Sequence, residues 1–114
     1  MQPNEYADPS PYLADLWTAL ANPRRRMIIR LLAMQSPLSI KTIASYIVLA
    51  ESDVESLADV SYDMQHSVNV TLYQTHVETL ETQNIVIQMD KDLHRGVQFE
   101  TANQVVNAVD SVVS

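Results

Sequence analysis

The stretch VNVTLYQTHVETLETQN, residues 68–84, decides how the rest of the chain is read. Wound at about 3.6 residues per turn, it places Tyr73, His76, Val77 and Leu80 on one side. Thr71, Gln74, Thr75, Glu78 and Thr82 fall on the other. The first side is an apolar stripe of the kind that faces a core. The second carries one charge among its five positions and is otherwise neutral and hydrogen-bonding. A face meant only for water is normally richer in charge, so this one is expected to touch a partner. Read backwards, Tyr62, His66 and Asn69 continue the inner stripe with Tyr73, which puts the helix start between Tyr62 and Ser67.

Downstream of Asn84 the period changes from helical to two. Ile85, Ile87 and Met89 alternate with Val86 and Gln88, Asp90-Lys91-Asp92 reads as a turn, and His94 to Glu100 returns as a partner strand. Upstream, Ile40, Ile43, Ala44 and Ile47 recur at helical spacing behind Ser39, predicting a helix to about Ala50 with Lys41 pointing outward. Leu38 to Ile40 is a candidate short strand after the Ser36-Pro37 break. Asn22-Pro23 and Ser10-Pro11 each give a cap followed by proline, predicting helices over 23–35 and 11–21. The buried faces are expected from Met27, Ile28, Leu31 and Leu32, and from Leu13, Leu16, Trp17 and Leu20. Residues 51–61 carry four acids and no base, a connection in which a helical piece around Val54 to Val60 fits.

The 114 residues suit one domain, and the absence of cysteine excludes a disulfide framework, a zinc finger and a thiol switch. No apolar run approaches the ~20 residues of a membrane span, and no signal peptide is visible, so a soluble cytoplasmic protein without membrane contact is expected. One glycine leaves no room for a phosphate-binding loop or dinucleotide fingerprint. No nucleophile sits in a recognisable catalytic setting. The three histidines lack a metal-binding spacing, and His76, on the inner stripe, reads as a hydrogen-bonded core residue. No enzyme activity, cofactor or metal is expected. The net charge of −7 is unusual for a nucleic-acid binder. It suits a protein working in molar salt, where a Debye length of about 3 Å screens long-range repulsion from DNA.

The order helix, helix, strand, helix, helix, hairpin, helix is that of a mainly α fold with a small β-hairpin, a winged helix-turn-helix. The segment from Ala21 to Gly96 resembles a winged-helix family of haloarchaea, similar to ArsR- and PadR-type regulators. The residues that carry the resemblance are ANPRRRMIIRLL, LSIKTIASYI, the acidic spacer and LYQTHVETLETQNIVIQMD. The resemblance implies DNA binding as a dimer, a salt-tolerant surface, no catalytic site and a link to the oxidative stress response. This chain departs from the usual pattern in having no Lys or Arg on the reader helix.

These readings divide the chain into a flexible tail over 1–9, a winged helix-turn-helix domain over 10–100 and a C-terminal dimerisation helix over 101–114. Thr101 is expected to cap the last helix. Its stripe of Ala102, Val105, Val106, Val109, Val112 and Val113 is expected to form a homodimer seam with Leu13, Leu16 and Trp17, the other reading being packing on the first helix of the same chain. The partner expected for the reader helix is double-stranded DNA. Gln pairs bidentately with adenine and a Thr methyl packs on the thymine methyl, which makes Gln74, Thr71 and Thr75 the candidate base readers. Asn69 and a helix N-terminus near it are candidates for a phosphate. Lys91, His94 and Arg95 on the hairpin would hold the backbone or a narrow minor groove. Arg24, Arg25, Arg26 and Lys41 would clamp phosphates, and K+ or another cation would bridge acidic groups such as Glu78 to the duplex. Arg26 and Arg30, one turn apart, read equally well as a solvated face. The alternative function is a winged-helix interaction module that holds a protein partner and no DNA.

Overall fold

A computed structural model describes residues 10–113 of the chain, with side chains from 13 to 112. The tail expected over 1–9 lies outside the described residues. The elements in order are α1 (Ser10–Leu20), α2 (Pro23–Met34), β1 (Leu38–Ser39), α3 (Ile40–Glu51), α4 (Tyr62–Thr71), α5 (Val77–Thr82), β2 (Val86–Met89), β3 (Asp92–Arg95) and α6 (Phe99–Val113). The fold is mainly helical with a three-stranded antiparallel sheet in the order β1-β3-β2.

Local chemistry starts and stops these elements. Asn22 caps α2, its Oδ1 accepting from Arg24 N at 2.8 Å and Arg25 N at 3.4 Å. Ser39 caps α3 through Thr42 N at 3.0 Å, and Ser61 caps α4 through Met64 N at 3.2 Å. Behind α5, Asn84 takes a φ of 60°, and the Asn84 N–H reaches Glu81 O while the Ile85 N–H reaches Leu80 O. That pair of bonds is the Schellman closure, with asparagine in the place glycine usually takes. The helical piece expected around Val54 to Val60 is only a short 3-10 turn, Leu57–Asp59. The last helix begins at Phe99, so Thr101 lies inside it and caps nothing.

The core is one cluster. Ile28, Ile29 and Leu32 of α2 meet Ile40, Ile43, Ala44 and Ile47 of α3, Leu72, Val77 and Leu80 of the helical stretch from α4 to α5, and Ile85, Val86 and Leu93 of the sheet. Leu16, Ala19 and Leu20 close it from α1, and Phe99, Ala102 and Val106 from α6. The buried face of α2 includes Ile29, where the sequence pointed to Met27 and Leu31, which are only partly covered.

The hairpin is tighter than the sequence implied. Met89 pairs with Asp92 across a two-residue loop, so the turn is Asp90-Lys91 and the return strand ends at Arg95 instead of running to Glu100. Leu38 pairs with Leu93 and Ser39 with Asp92, which ties the start of α3 to the hairpin. The Ile40 N–H then donates to Lys91 O at 2.9 Å. Gly96 is required by close approach: a Cβ there would meet Asn84 O at 2.5 Å and the Ile85 carbonyl carbon at 2.9 Å.

Candidate nucleic-acid interface

The reader helix is one continuous coil from Tyr62 to Thr82, interrupted in register by a π turn, Leu72–His76. There the Val77 N–H donates to Leu72 O, one residue further back than in an α-helix. The cause is legible in the spacing of the apolar side. Met64, Val68, Leu72, His76 and Leu80 follow one another four residues apart. In an ideal α-helix each such step overshoots a full turn by about 40°, so the stripe would wind away from the core. The wider π turn takes up the overshoot and keeps Leu72, His76, Val77 and Leu80 buried together.

This overturns part of the expected stripe. Tyr62 is 70% exposed, Tyr73 38% exposed, and His66 is exposed too, stacked on Tyr62 with ring centroids 5.4 Å apart. Asn69 is half-buried in mid-helix, far from any helix N-terminus, with its Oδ1 enclosed and without a hydrogen-bond partner among the described residues. Four of the five expected outer positions, Gln74, Thr75, Glu78 and Thr82, are exposed, whereas Thr71 is half-buried. The Thr71 hydroxyl donates to Ser67 O and the Thr82 hydroxyl to Glu78 O. Gln65 was missed by the sequence reading. Its amide donates to Lys41 O at 3.4 Å and to Ser45 Oγ at 3.3 Å, locking α4 against the start of α3.

The arginines are turned inward to the chain itself. Arg24 forms a bidentate pair with Glu51, both contacts 2.8 Å. Arg25 donates to Ala19 O at 2.6 Å and Thr18 O at 3.2 Å, and Arg26 to Leu20 O at 2.8 Å and Ala21 O at 2.9 Å. Arg30 makes a bidentate pair with Asp110 at 2.9 and 2.6 Å, strapping α6 to α2 and holding the Asp110 carboxyl below its ordinary range. Arg95 folds back from the hairpin to Leu32 O at 2.8 Å and Ala33 O at 3.0 Å, its guanidinium 5.5 Å from the Phe99 ring centre. Arg26 and Arg30 are therefore neither a solvated face nor free clamps. Among the described residues, Lys41 and Lys91 are the cationic side chains with no hydrogen bond or ion pair. The β1–β3 pairing and the Ile40–Lys91 bond bring their backbones to one edge of the molecule.

Residues 17–95 match the model of a family described as a domain of unknown function, DUF7344. The chain belongs to that family. None of the curated proteins and none of the solved structures matches it. The DUF7344 segment runs from Trp17 in α1 to the last residue of β3, so it contains the whole sheet and the whole reader helix and stops short of α6.

His76 joins the DUF7344 core to its arginine cluster. Its ring is 5% exposed, and Arg25 Nη1 lies 3.4 Å from its Nδ1. A guanidinium only donates, so Nδ1 is the acceptor and the ring is neutral. Burial pushes the imidazole below its ordinary range, Arg25 and Arg24 push the same way, and Glu51 opposes them. The expected reading of His76 as a core residue fits this placement.

The residues expected at a dimer seam separate into two groups. Leu16 and Val106 are buried in their own chain's core and are not available to a second copy. The cause is that α6 packs on α2 and α1 through Phe99, Ala102 and Val106, so this edge of the valine stripe is already covered. Leu13, Trp17 and Val112 are exposed, and Val105 and Val109 are half-buried. Trp17, Ala108, Val109 and Val112 line a shallow hollow of about 220 Å³ on the α1–α6 face. The side chain of Val113 lies outside the described residues. His94 is half-buried on β3, and no helix among the described residues is long and apolar enough to cross a membrane.

Proposed function

We propose that this DUF7344 chain is a winged-helix, sequence-specific DNA-binding regulator that acts as a homodimer in high salt. The observation that carries the reading is the largely neutral outer face of the helix from α4 to α5, with Gln74, Thr75 and Thr82 exposed beside half-buried Thr71 and a single charge, Glu78, on a coil whose opposite side is locked in the core. Support comes from topology. A first strand precedes a helix pair, a hairpin follows it, and the first strand pairs with the hairpin's return strand in the order β1-β3-β2. The Ile40–Lys91 bond holds the hairpin tip at the start of α3, to which Gln65 of the second helix is also bonded, a connectivity that suits a reader flanked by a wing. In this reading Gln74 and the threonine methyls contact base edges, and Lys41 and Lys91 contact phosphates. The exposed Trp17, Leu13 and Val112 form the seam between two copies.

A second reading, a module that binds protein and no DNA, is favoured by a different observation. All the arginines are engaged within the chain, and the reader helix has no Lys or Arg. Fluorescence anisotropy with duplex DNA at molar KCl decides between them. Binding that Gln74→Ala weakens by about tenfold or more, the loss expected of one bidentate base contact, supports the regulator. No binding by any duplex, or binding indifferent to Gln74, supports the module.

A further inference from the structure

We propose that the groove between the end of α2 and the start of α3 is a binding site for a small uncharged, mainly apolar molecule that carries one or two polar atoms. It is an open groove of about 460 Å³ lined by Leu31, Leu38 and Thr42 on its inner side and by the exposed Met34, Gln35 and Tyr46 at its rim. That volume falls within the ~300–1,000 Å³ range of ligand pockets. The hollow beside Arg24 and the one on the α1–α6 face, about 190 and 220 Å³, do not reach it.

The lining specifies the class of occupant. Charged residues make up 18% of the chain, yet none of the six lining residues is charged. A charged ligand would lose its hydration there without a counter-charge, a cost a neutral ligand does not carry. Leu31 and Leu38 form an apolar floor that packs on the core, and Met34, 83% exposed, supplies a flexible wall. The Gln35 amide and the Tyr46 phenol make no hydrogen bond among the described residues. They are free to orient one or two polar atoms of a guest. Thr42 Oγ1 accepts from the Ser39 hydroxyl at 2.8 Å, which leaves its own O–H as a further donor.

The groove is wired to the rest of the fold through its floor. Leu38 is paired with Leu93, and the next residue, Ser39, caps α3 and pairs with Asp92 at the hairpin tip. A guest packed on Leu38 holds β1 against β3. It therefore protects the Ile40 N–H, which donates to Lys91 O. This site does not depend on whether the chain binds DNA.

Indole is a suitable probe, titrated into the full chain and followed by amide chemical shifts. Saturable shifts at Leu31, Leu38, Thr42 and Tyr46, with slower hydrogen exchange at Ile40, are expected. Indole-3-acetate and tryptamine, the charged analogues, should bind at least about tenfold more weakly. Tyr46→Phe, which keeps the wall and removes the hydroxyl, should weaken indole by about threefold to tenfold. Several results overturn the proposal: no saturable binding up to the solubility of indole, equal binding of tryptamine, or shifts centred on Trp17 and Val109. A groove already filled in the free protein, by a second copy or by residues 1–9, would give NOEs to Met34 and Tyr46 and overturns it as well.

Discussion

If the chain binds duplex DNA as proposed, the salt dependence of that binding follows from where the positive charges are. Each phosphate neutralised on B-DNA contributes about −0.9 to the slope of log K against log salt. The chain has seven Lys and Arg residues, five of them arginines that are bonded to carbonyls or carboxylates of the chain itself. Lys41 and Lys91 remain. A dimer then offers four free ammonium groups, and the expected slope is about −4. If all the basic residues reached phosphates, a dimer would offer fourteen and the slope would be about −13. Over a tenfold rise in KCl the two cases differ by about nine decades of affinity, which no experimental error can blur. The assay is anisotropy of a labelled duplex, titrated at a series of KCl concentrations from a few tenths molar upward. Lys91→Gln should flatten the slope by about 2 for a dimer, because one contact is lost on each protomer. A wild-type slope steeper than about −6 would show that the arginines leave their internal partners on binding, and would refute the assignment of the lysines as the phosphate contacts.

Other consequences concern the fold. Gly96→Ala should destabilise by about 1–3 kcal/mol in urea unfolding, because the new methyl meets backbone at Asn84 and Ile85 that has no room to move. Asn22→Ala should cost about 1 kcal/mol in the same assay, since it removes the acceptor for the Arg24 and Arg25 amides. His76 is held neutral in the fold, so the unfolded chain takes up its proton first as the pH falls. Its stabilising effect is complete above the ordinary histidine pKa of about 6.5 and declines below it; unfolding midpoints at neutral pH and near pH 5 should differ less in His76→Gln than in the parent.

Elements whose signal is local were legible in the sequence. Asn22-Pro23 and Ser39 start their helices where the side-chain caps are found, and the Ile40, Ile43, Ala44, Ile47 stripe of α3 is buried in full. The spacing locates the helix from α4 to α5 and four of its five outer positions, Gln74, Thr75, Glu78 and Thr82, but it draws the inner stripe through Tyr62, His66 and Tyr73, which are exposed. Aromatic rings at three- and four-residue spacing look like core. The true stripe steps by four throughout, a period no α-helix sustains, and only the π turn makes it possible. The hairpin was located but its length was not, because His94 to Glu100 alternates as well as a strand while Phe99 is needed to start α6. Of the candidate site, the neutral face was legible and the fate of the arginines was not. A guanidinium five or six residues beyond a helix end, or some sixty residues away, leaves no periodic trace in the sequence.

That fate has its own logic. A helix leaves about four carbonyls unpaired at its C-terminus, and most chains close part of that gap with glycine. This chain has one glycine, and it is committed to the close approach at Gly96. The ends of α1 and α2 have none. Arg25 and Arg26 cover Thr18, Ala19, Leu20 and Ala21, and Arg95 covers Leu32 and Ala33. A cation at a helix C-terminus is also favoured by the helix dipole, so each arginine satisfies hydrogen bonds and charge together. Arginine in this role keeps its charge but commits its donors to the chain itself, which leaves Lys41 and Lys91 as the cations with no partner among the described residues. With three guanidiniums committed to helix ends and two to carboxylates, a duplex bound as proposed would be recognised mainly by short-range contacts from Gln74 and its neighbours, which salt screens little.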